Sequence, residues 1–511
     1  MKGSVGKRIT TWVTGNRVWR SLFRHDLPHD DLGRMQTMFT NFFLHLVPAR
    51  VHFHSLRPGY TLGLGVISLF LFAILVVTGV LLMFFYVPWA ERAYHDMKDL
   101  EFAVSYGVIL RNMHRWAAHG MVAVVFLHMV RVFYTGSYKR PREFNWVLGV
   151  LLWLLTLGLS FTGYLLPWDQ LAFWAITVGT SIASYPPWIG KTLRVLLLGG
   201  NTVGQGALLR FYVLHVIALP VAVALLVAVH LWRVRKDGGL SRPLTPALPA
   251  IAVGAPDPAT KDATGPALAE YEIFPPFSQK TYGLMELAWG TSPVVETQAP
   301  EEEIPSWPHL TFRLLVLFVG VLAVMSTMAY FFDAPLEELA NPTHPPNPAK
   351  APWYFLGLQE LVSYSALVGG VVVPALLILG LMSIPYVDLN REGEGIWFTS
   401  QRGRRIALAC LLGTAPLGPL LIYLNGHFGA RLLWPEAPQA VVDLLNPGSL
   451  LLFLIVLISL MTWRVTGSRR AAAIALFSAF LSAYVILMII GTFFRGPNWV
   501  WVWPWQAGAI Y

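Results

Sequence analysis

HRWAAHGMVAVVFLH (114–128) and HVIALPVAVALLVAVH (215–230) are two apolar stretches that each begin and end on histidine. The second interval is one position longer than the first. At about 1.5 Å and 100° per residue, partners in a helix lie about 21 to 23 Å apart along the axis, offset by about −40° and +60°. Each helix therefore presents two imidazoles on roughly one face, at two depths. Two such helices side by side can hold two stacked haems, each between a pair of histidines. The arrangement implies a path for electrons along the helix axes.

Composition places those helices in a membrane. The chain has 511 residues, 55% of them hydrophobic and only 13% charged, with a mean hydropathy of +0.55. Soluble domains carry about twice that share of charge. The runs 61–87, 144–168 and 471–494 are uncharged or nearly so, and about 20 apolar residues span a bilayer. The chain reads as an all-α integral membrane protein. The net charge of +9 is the loop bias of such proteins. No basic patch with interleaved aromatics points to nucleic acid. The lone cysteine, Cys410, excludes an internal disulfide, a cysteine-ligated zinc and an iron–sulfur cluster held by this chain alone. The opening stretch 1–40 is polar and basic, so no cleavable leader is expected.

Nine spans are predicted, at about 61–87, 109–134, 144–166, 209–233, 311–331, 364–386, 405–424, 447–465 and 470–494. Lys139, Arg140 and Arg142 follow the second span, and Arg233, Arg235 and Lys236 close the fourth. Arg391, Arg402, Arg404 and Arg405 follow the sixth; Arg469 and Arg470 precede the ninth. All fall on one side if the chain starts in the cytoplasm, which leaves the tail outside. That tail, WVWVWPW (499–505), suits an aromatic interface anchor. Residues 237–308, rich in Pro, Ala, Gly and Thr, read as a cytoplasmic linker. They separate a four-span bundle (61–236) from a second module (309–430) and a two-span extension (431–511). The N-terminal segment 1–60, with its mixed aromatic and basic stretch 15–55, is expected on the cytoplasmic surface.

Topology also sets the pairing. The second and fourth spans run the same way, so His114 and His215 lie nearer the outside and His128 and His230 nearer the cytoplasm. His119, about 140° around the helix from His114, reads as structural. Gly65 and Gly79 repeat the shorter histidine interval in the first span, as do Gly149 and Gly163 in the third. A haem lying against a helix needs such positions without a side chain, although small residues also serve ordinary helix packing. Arg111, Arg131, Arg210 and Arg235 flank the histidines and suit haem propionates; the competing reading is topology charge alone.

These residues resemble the cytochrome b/b6 family, the membrane core of bc-type quinol:cytochrome c oxidoreductases. The 14-then-15 histidine spacing is similar to the b6 type. The resemblance extends through HRWAAHGMVAVVFLHMVRVFYTGSYKRPRE (114–143), TGYLLPWDQLAFWA (162–175) and VGQGALLRFYVLH (203–215). The second module resembles subunit IV of the b6f complex, with APWYFLGLQEL (351–361) standing where that family has Pro-Glu-Trp-Tyr. The resemblance implies two b-type haems and a prokaryotic plasma-membrane location. It implies quinol oxidation at an outer site beside the 332–363 loop and quinone reduction near the cytoplasmic face, coupled to proton translocation. A Rieske iron–sulfur protein and a c-type cytochrome subunit are the implied partners, in a homodimeric complex.

Two departures stand out. Pro352 replaces the motif glutamate, so another group must take the proton. Asp169 and Glu360 are the candidates, with Tyr354 as hydrogen-bonding partner; the competing readings are a helix cap for Asp169 and a solvated helix face for Glu360. The change makes menaquinol the favoured substrate. Gly63 stands where b6 proteins attach an extra c-type haem through cysteine, so no covalent third haem is expected. An extra haem held without a covalent bond beside Arg235 stays open. The alternative function is a dihaem membrane anchor that passes electrons between quinone and a dehydrogenase or reductase without bifurcation.

Overall fold

A computed structural model describes residues 48–243, 303–390 and 392–505, together with residues 12, 14, 15, 30 and 32–35. Most of the N-terminal surface segment and of the expected linker lies outside the described residues. Within them, nine helices are long and apolar enough to cross a membrane. They are α1 (Leu64–Met83), α2 (Gly107–Tyr134), α3 (Glu143–Tyr164), α5 (Gln205–Lys236), α6 (Ser306–Phe331), α8 (Val368–Val387), α9 (Gln401–Leu433), α10 (Pro447–Thr466) and α11 (Arg469–Phe493). Two shorter helices, α4 (Gln170–Ala183) and α7 (Trp353–Tyr364), sit between spans. Two short strands, Arg50–His52 and Glu303–Pro305, lie beside each other.

α1 packs on α2, α2 on α3, and α3 on α5. α6 then lies along α2, and α8 along α3. The first turns of α2 grip the chain leaving α6. Asn112 donates to Ala329 O at 2.9 Å and accepts from the Ala334 N–H at 2.7 Å. Polar side chains placed this way satisfy the backbone where a helix ends in an apolar setting.

The expected two-span extension is no appendage. α11 is the most enclosed of the nine spans and packs on α7, α9 and α10. Its buried face carries Ala475, Ser478, Ala479, Ser482, Ala483 and Gly491. Small residues let helix backbones approach closely, which is how helices associate where lipid removes the hydrophobic drive. An arginine is buried at each end: Arg470 at the His128 end of the bundle and Arg495 at the His114 end.

Loop charges read as topology signals are partly structural. Lys139 and Arg470 are both buried around Asp388, at 3.5 and 3.8 Å. Tyr138 donates to Asp388 at 2.5 Å and accepts from Arg470 at 2.7 Å. Arg142 pairs with Glu394 at 2.5 Å. These pairs tie the loop after α2 to the loop after α8. Burial pushes the Lys139 ammonium below its usual value, and Asp388 pulls it back up.

Candidate functional site

His114 on α2 and His215 on α5 face each other, their ring centres 6.2 Å apart and their planes at 77°. His230 is likewise the neighbour of His128. The pairs are those inferred from helix direction. Two imidazole nitrogens bound to one iron at about 2 Å each set ring centres about 6 Å apart, so the His114/His215 pair fits a bis-histidine haem. Thr78 bonds His114 Nδ1 at 2.9 Å. Thr162 and the Leu159 carbonyl lie 3.1 Å from His215 Nδ1. Such partners fix a ring's tautomer and aim the other nitrogen inward. His128 Nδ1 is buried without a partner, and the Asn145 backbone faces the His230 ring.

Each of the four glycines lies beside one of the histidine rings. A Cβ on Gly65 would stand 3.0 Å from His128 Cε1, and one on Gly79 would stand 3.2 Å from His114 Cε1. On α3, Gly163 leaves 2.5 Å to His215 Cε1 and Gly149 leaves 3.9 Å to His230 Cε1. Each glycine therefore clears room for one histidine of the neighbouring helix.

The unequal histidine intervals have a structural cause. α2 is unbroken α-helix, whereas residues Leu214–Ala218 of α5 form a π-turn that includes His215. A π-turn takes one residue more than an α-turn. Pro220 follows just beyond; it has no N–H, and its ring crowds the carbonyl one turn back. The wide turn relieves that crowding and absorbs the extra residue. The longer interval of α5 thus points His230 much as the shorter interval of α2 points His128. The same motif recurs in α8, where the π-turn Val368–Val372 precedes Pro374.

The four arginines differ. Arg131 donates to the Tyr60 carbonyl at 3.1 Å and lies 4.4 Å over the Tyr60 ring. Its Nη2 is buried without a partner, as a propionate-binding group requires. Arg111 donates to Glu101 at 2.9 Å and to the carbonyls of Ala334 and Pro335 at 2.9 and 2.7 Å. Arg210 bonds the Gly206 carbonyl at 3.1 Å and folds against Gly199. Arg235 stands in the last turn of α5.

The two carboxylates expected at the outer pocket are already engaged. Asp169 caps α4, accepting from the Ala172 N–H at 2.8 Å and the Glu337 N–H at 3.1 Å. Burial pushes its carboxyl above the usual range, against the pull of those two N–H groups and of Arg115 and Arg111. Glu360 is fully buried, which excludes a solvated face. It accepts from Arg495, from Tyr364 at 2.7 Å and from Trp499 at 2.9 Å. Four donor atoms surround it, so its lone pairs are spent within the protein.

Tyr354 is buried between α2 and α3, facing Ser160 and Arg115, and burial raises its phenol. Its ring stands 5.9 Å from His119, and Phe355 stands 6.2 Å from Phe161. His119, read from sequence as structural, stands beside Tyr354. Trp353 Nε1 donates to its Nδ1 at 2.9 Å, and Arg115 Nε donates to its Nε2 at 3.0 Å. The sequence carries a signal for this: a turn of about 140° away from His114 aims His119 at a different neighbour.

Residues 53–238 match the family model described as Cytochrome b/b6/petB. The chain is 42% identical over 185 residues to the cytochrome b6 of Heliomicrobium gestii, covering 35% of this chain and 87% of that protein. It is 39% identical over 228 residues to the menaquinol:cytochrome c reductase cytochrome b subunit of Bacillus subtilis (strain 168), covering 44% of this chain and 92% of that one. A solved chain of a hyperthermophilic respiratory Complex III shares the fold at 21% identity, with a TM-score of 0.53 over 94% of this chain and 98% of the other. With 87% and 92% of those two relatives covered at 42% and 39% identity, the chain belongs to the cytochrome b/b6 family.

Proposed function

We propose that the chain is the cytochrome b subunit of a bc-type quinol:cytochrome c oxidoreductase in a prokaryotic plasma membrane. The observation that carries the reading is the facing of His114 and His215 at 6.2 Å, repeated one level down by His128 and His230, with a glycine beside each ring. These four residues hold two b-type haems, which when bound supply one-electron carriage between the two levels. Bis-imidazole ligation leaves no iron position for substrate, which favours electron transfer over chemistry at the metal.

Quinol, with menaquinol the favoured class, enters the outer pocket between α2, α3 and α7. Tyr354 and the aromatic walls orient a flat ring and exclude water. Asp169 stands by as a buried carboxyl that a proton can reach, and Arg495 holds Glu360 so that α7 keeps its place. Arg131 receives a propionate at the inner level, and Arg111 braces the outer one through the 334–335 backbone. Two protons leave the quinol on the outer side. One electron goes to a Rieske iron–sulfur partner, which serves a c-type cytochrome, and the other goes to quinone near the cytoplasmic face. The chain's N-terminus is cytoplasmic in this reading, and the complex is a homodimer.

The test is oxidant-induced reduction. With the inner quinone site inhibited, adding ferricyanide to the quinol-supplied complex should reduce haem b. A dihaem anchor without bifurcation would show oxidation only, and that result would reject the proposed function.

A further inference from the structure

At the His128 end of the bundle α8 stops at Val387, α10 stops at Thr466 and α11 starts at Arg469. A cavity of about 540 Å³ lies at these ends, within the size range of small-ligand sites. Spans that leave a bilayer together put such a cavity at the level of the lipid headgroups. The α10–α11 turn contributes Ser468 and Arg469 to the lining, and the loop after α8 contributes Asp388, Asn390 and Glu392. The first N–H groups of a long helix point out of its start and favour an anion there. Asp388 makes the opposite demand. It is 4% exposed, its Oδ2 takes Tyr138 and faces Lys139 and Arg470, and its Oδ1 has no hydrogen-bond partner. A bare buried carboxylate oxygen is costly, so a donor from the cavity is favoured. Lys139 and Arg470 behind Asp388, with Arg469 in the lining, outnumber Asp388 and Glu392 by one. A ligand ammonium would add to that excess of positive charge. A neutral hydroxyl on a molecule that carries a phosphate at its other end meets both demands.

We propose that this cavity binds a phosphoglycerol group, with its phosphate at the start of α11 beside Arg469 and a glycerol hydroxyl donating to Asp388 Oδ1. An anionic glycerophospholipid presents this group at the bilayer surface, and a free phosphate ester of glycerol presents it in solution. Leu389 lines the cavity and is exposed, so an acyl chain leaving the site meets an apolar edge. The bound group joins the loop after α8 to the α10–α11 turn. Through Asp388 it also braces Lys139 and Arg470, which donate to the Glu392 and Phe133 carbonyls at 3.0 Å each. Phe133 belongs to the last turn of α2, the helix of His128 and Arg131, so the ligand steadies that end of the helix. Binding there requires neither haem nor quinol.

The test is native mass spectrometry of the detergent-solubilised complex, titrated with defined lipids. Phosphatidylglycerol should bind at least about fivefold more tightly than phosphatidylcholine and raise the temperature at which the complex unfolds. Phosphatidic acid brings the phosphate without the glycerol hydroxyls and should bind at least about threefold more weakly than phosphatidylglycerol. Arg469→Gln should weaken phosphatidylglycerol by about threefold or more, and Glu392→Gln should strengthen it by about twofold to threefold. Both residues are exposed, so the fold survives either change, and the difference from wild type isolates this site from lipid bound elsewhere. Glycerol 3-phosphate at millimolar concentration separates the two sources. If it stabilises the complex as well as the lipid does, the free ester occupies the site; if it does not, the lipid does, and either result supports the proposal. Phosphatidylethanolamine or phosphatidic acid bound as tightly as phosphatidylglycerol overturns it. So does wild-type affinity in Arg469→Gln, or weaker binding in Glu392→Gln, which would mark a cationic ligand.

Discussion

Arg495 closes on Glu360 with two guanidinium nitrogens, one of them 3.0 Å from Oε2, and the pair is buried where α11 meets α7. Trp499 and Tyr364 complete the cage. Burial weakens the Arg495 cation, but the Glu360 contact outweighs it and holds the guanidinium above its usual value. Removing one partner of a buried pair typically costs about 3–5 kcal/mol, because a bare charge stays behind. Arg495→Met should therefore lower the yield of haem-containing complex sharply. Arg495→Met with Glu360→Met should recover much of it, since a well-packed apolar pair avoids the desolvation cost. Thermal unfolding followed by loss of the haem band reads both. If Glu360→Gln instead assembles normally and fails only in quinol turnover, the residue is a proton group and the cage account is wrong.

The histidine pairs predict a pattern of loss. His114→Ala and His215→Ala should each remove the same haem, and the double variant should lose no more than either alone. His128→Ala and His230→Ala should remove the other. Pyridine haemochrome measures the haem-to-protein ratio, and redox titration identifies which haem remains. Loss of unlike haems by His114→Ala and His215→Ala would break the pairing.

The glycines predict a graded series. A methyl group on Gly163 meets His215 Cε1 at 2.5 Å, one on Gly65 or Gly79 meets its histidine at 3.0 or 3.2 Å, and one on Gly149 stops at 3.9 Å. Overpacking of the first kind costs about 1–3 kcal/mol, whereas ordinary contact costs little. Haem retention in alanine variants should fall in the order Gly149, then Gly79 and Gly65, then Gly163. Equal retention in Gly149→Ala and Gly163→Ala would mean that the rings move freely, and that the glycines serve helix packing alone.

Asp169 yields a prediction in pH. Its folded-state carboxyl is raised by burial. A raised carboxyl gives stability that is complete below the unfolded value near 3.8 and is lost as pH climbs through the folded value. Asp169→Asn keeps an N-cap of similar strength and removes the ionisation. Its stability should be flat across that window, where the wild type declines. Quinol turnover within about threefold of wild type would place the proton path elsewhere. A loss of about a hundredfold or more with the fold intact would return the proton role to Asp169.

What could be read from the chain alone follows a physical divide. Uncharged runs mark spans because a bilayer tolerates little else, and equal helix direction was enough to pair His114 with His215. Local spacing also marks the glycines, though not that each faces an imidazole. The partners of Arg111, Glu360 and His119 are invisible to spacing. Arg111 reaches the backbone at Ala334, Glu360 meets Arg495, and His119 meets Trp353, each far away along the chain. A titratable side chain in an apolar context announces that it needs a partner without saying which. Lys139 and Arg470 show the same limit: charges that sit where topology wants them are spent on Asp388.

The π-turn in α5 predicts how the histidine interval can be changed. Deleting Ala218 together with Pro220→Ala removes both the extra residue and the cause of the wide turn. His215 and His230 then stand as far apart in plain α-helix as His114 and His128 do in α2, and both haems should remain. Deleting Ala123 from α2 offers no such compensation, because that helix is α throughout. It rotates His128 by about 100° relative to His114, and one haem should be lost. Haem content and the amount of assembled complex distinguish the two. If the α5 deletion loses a haem while the α2 deletion keeps both, the wide turn does not absorb the extra residue, and the unequal intervals need another cause.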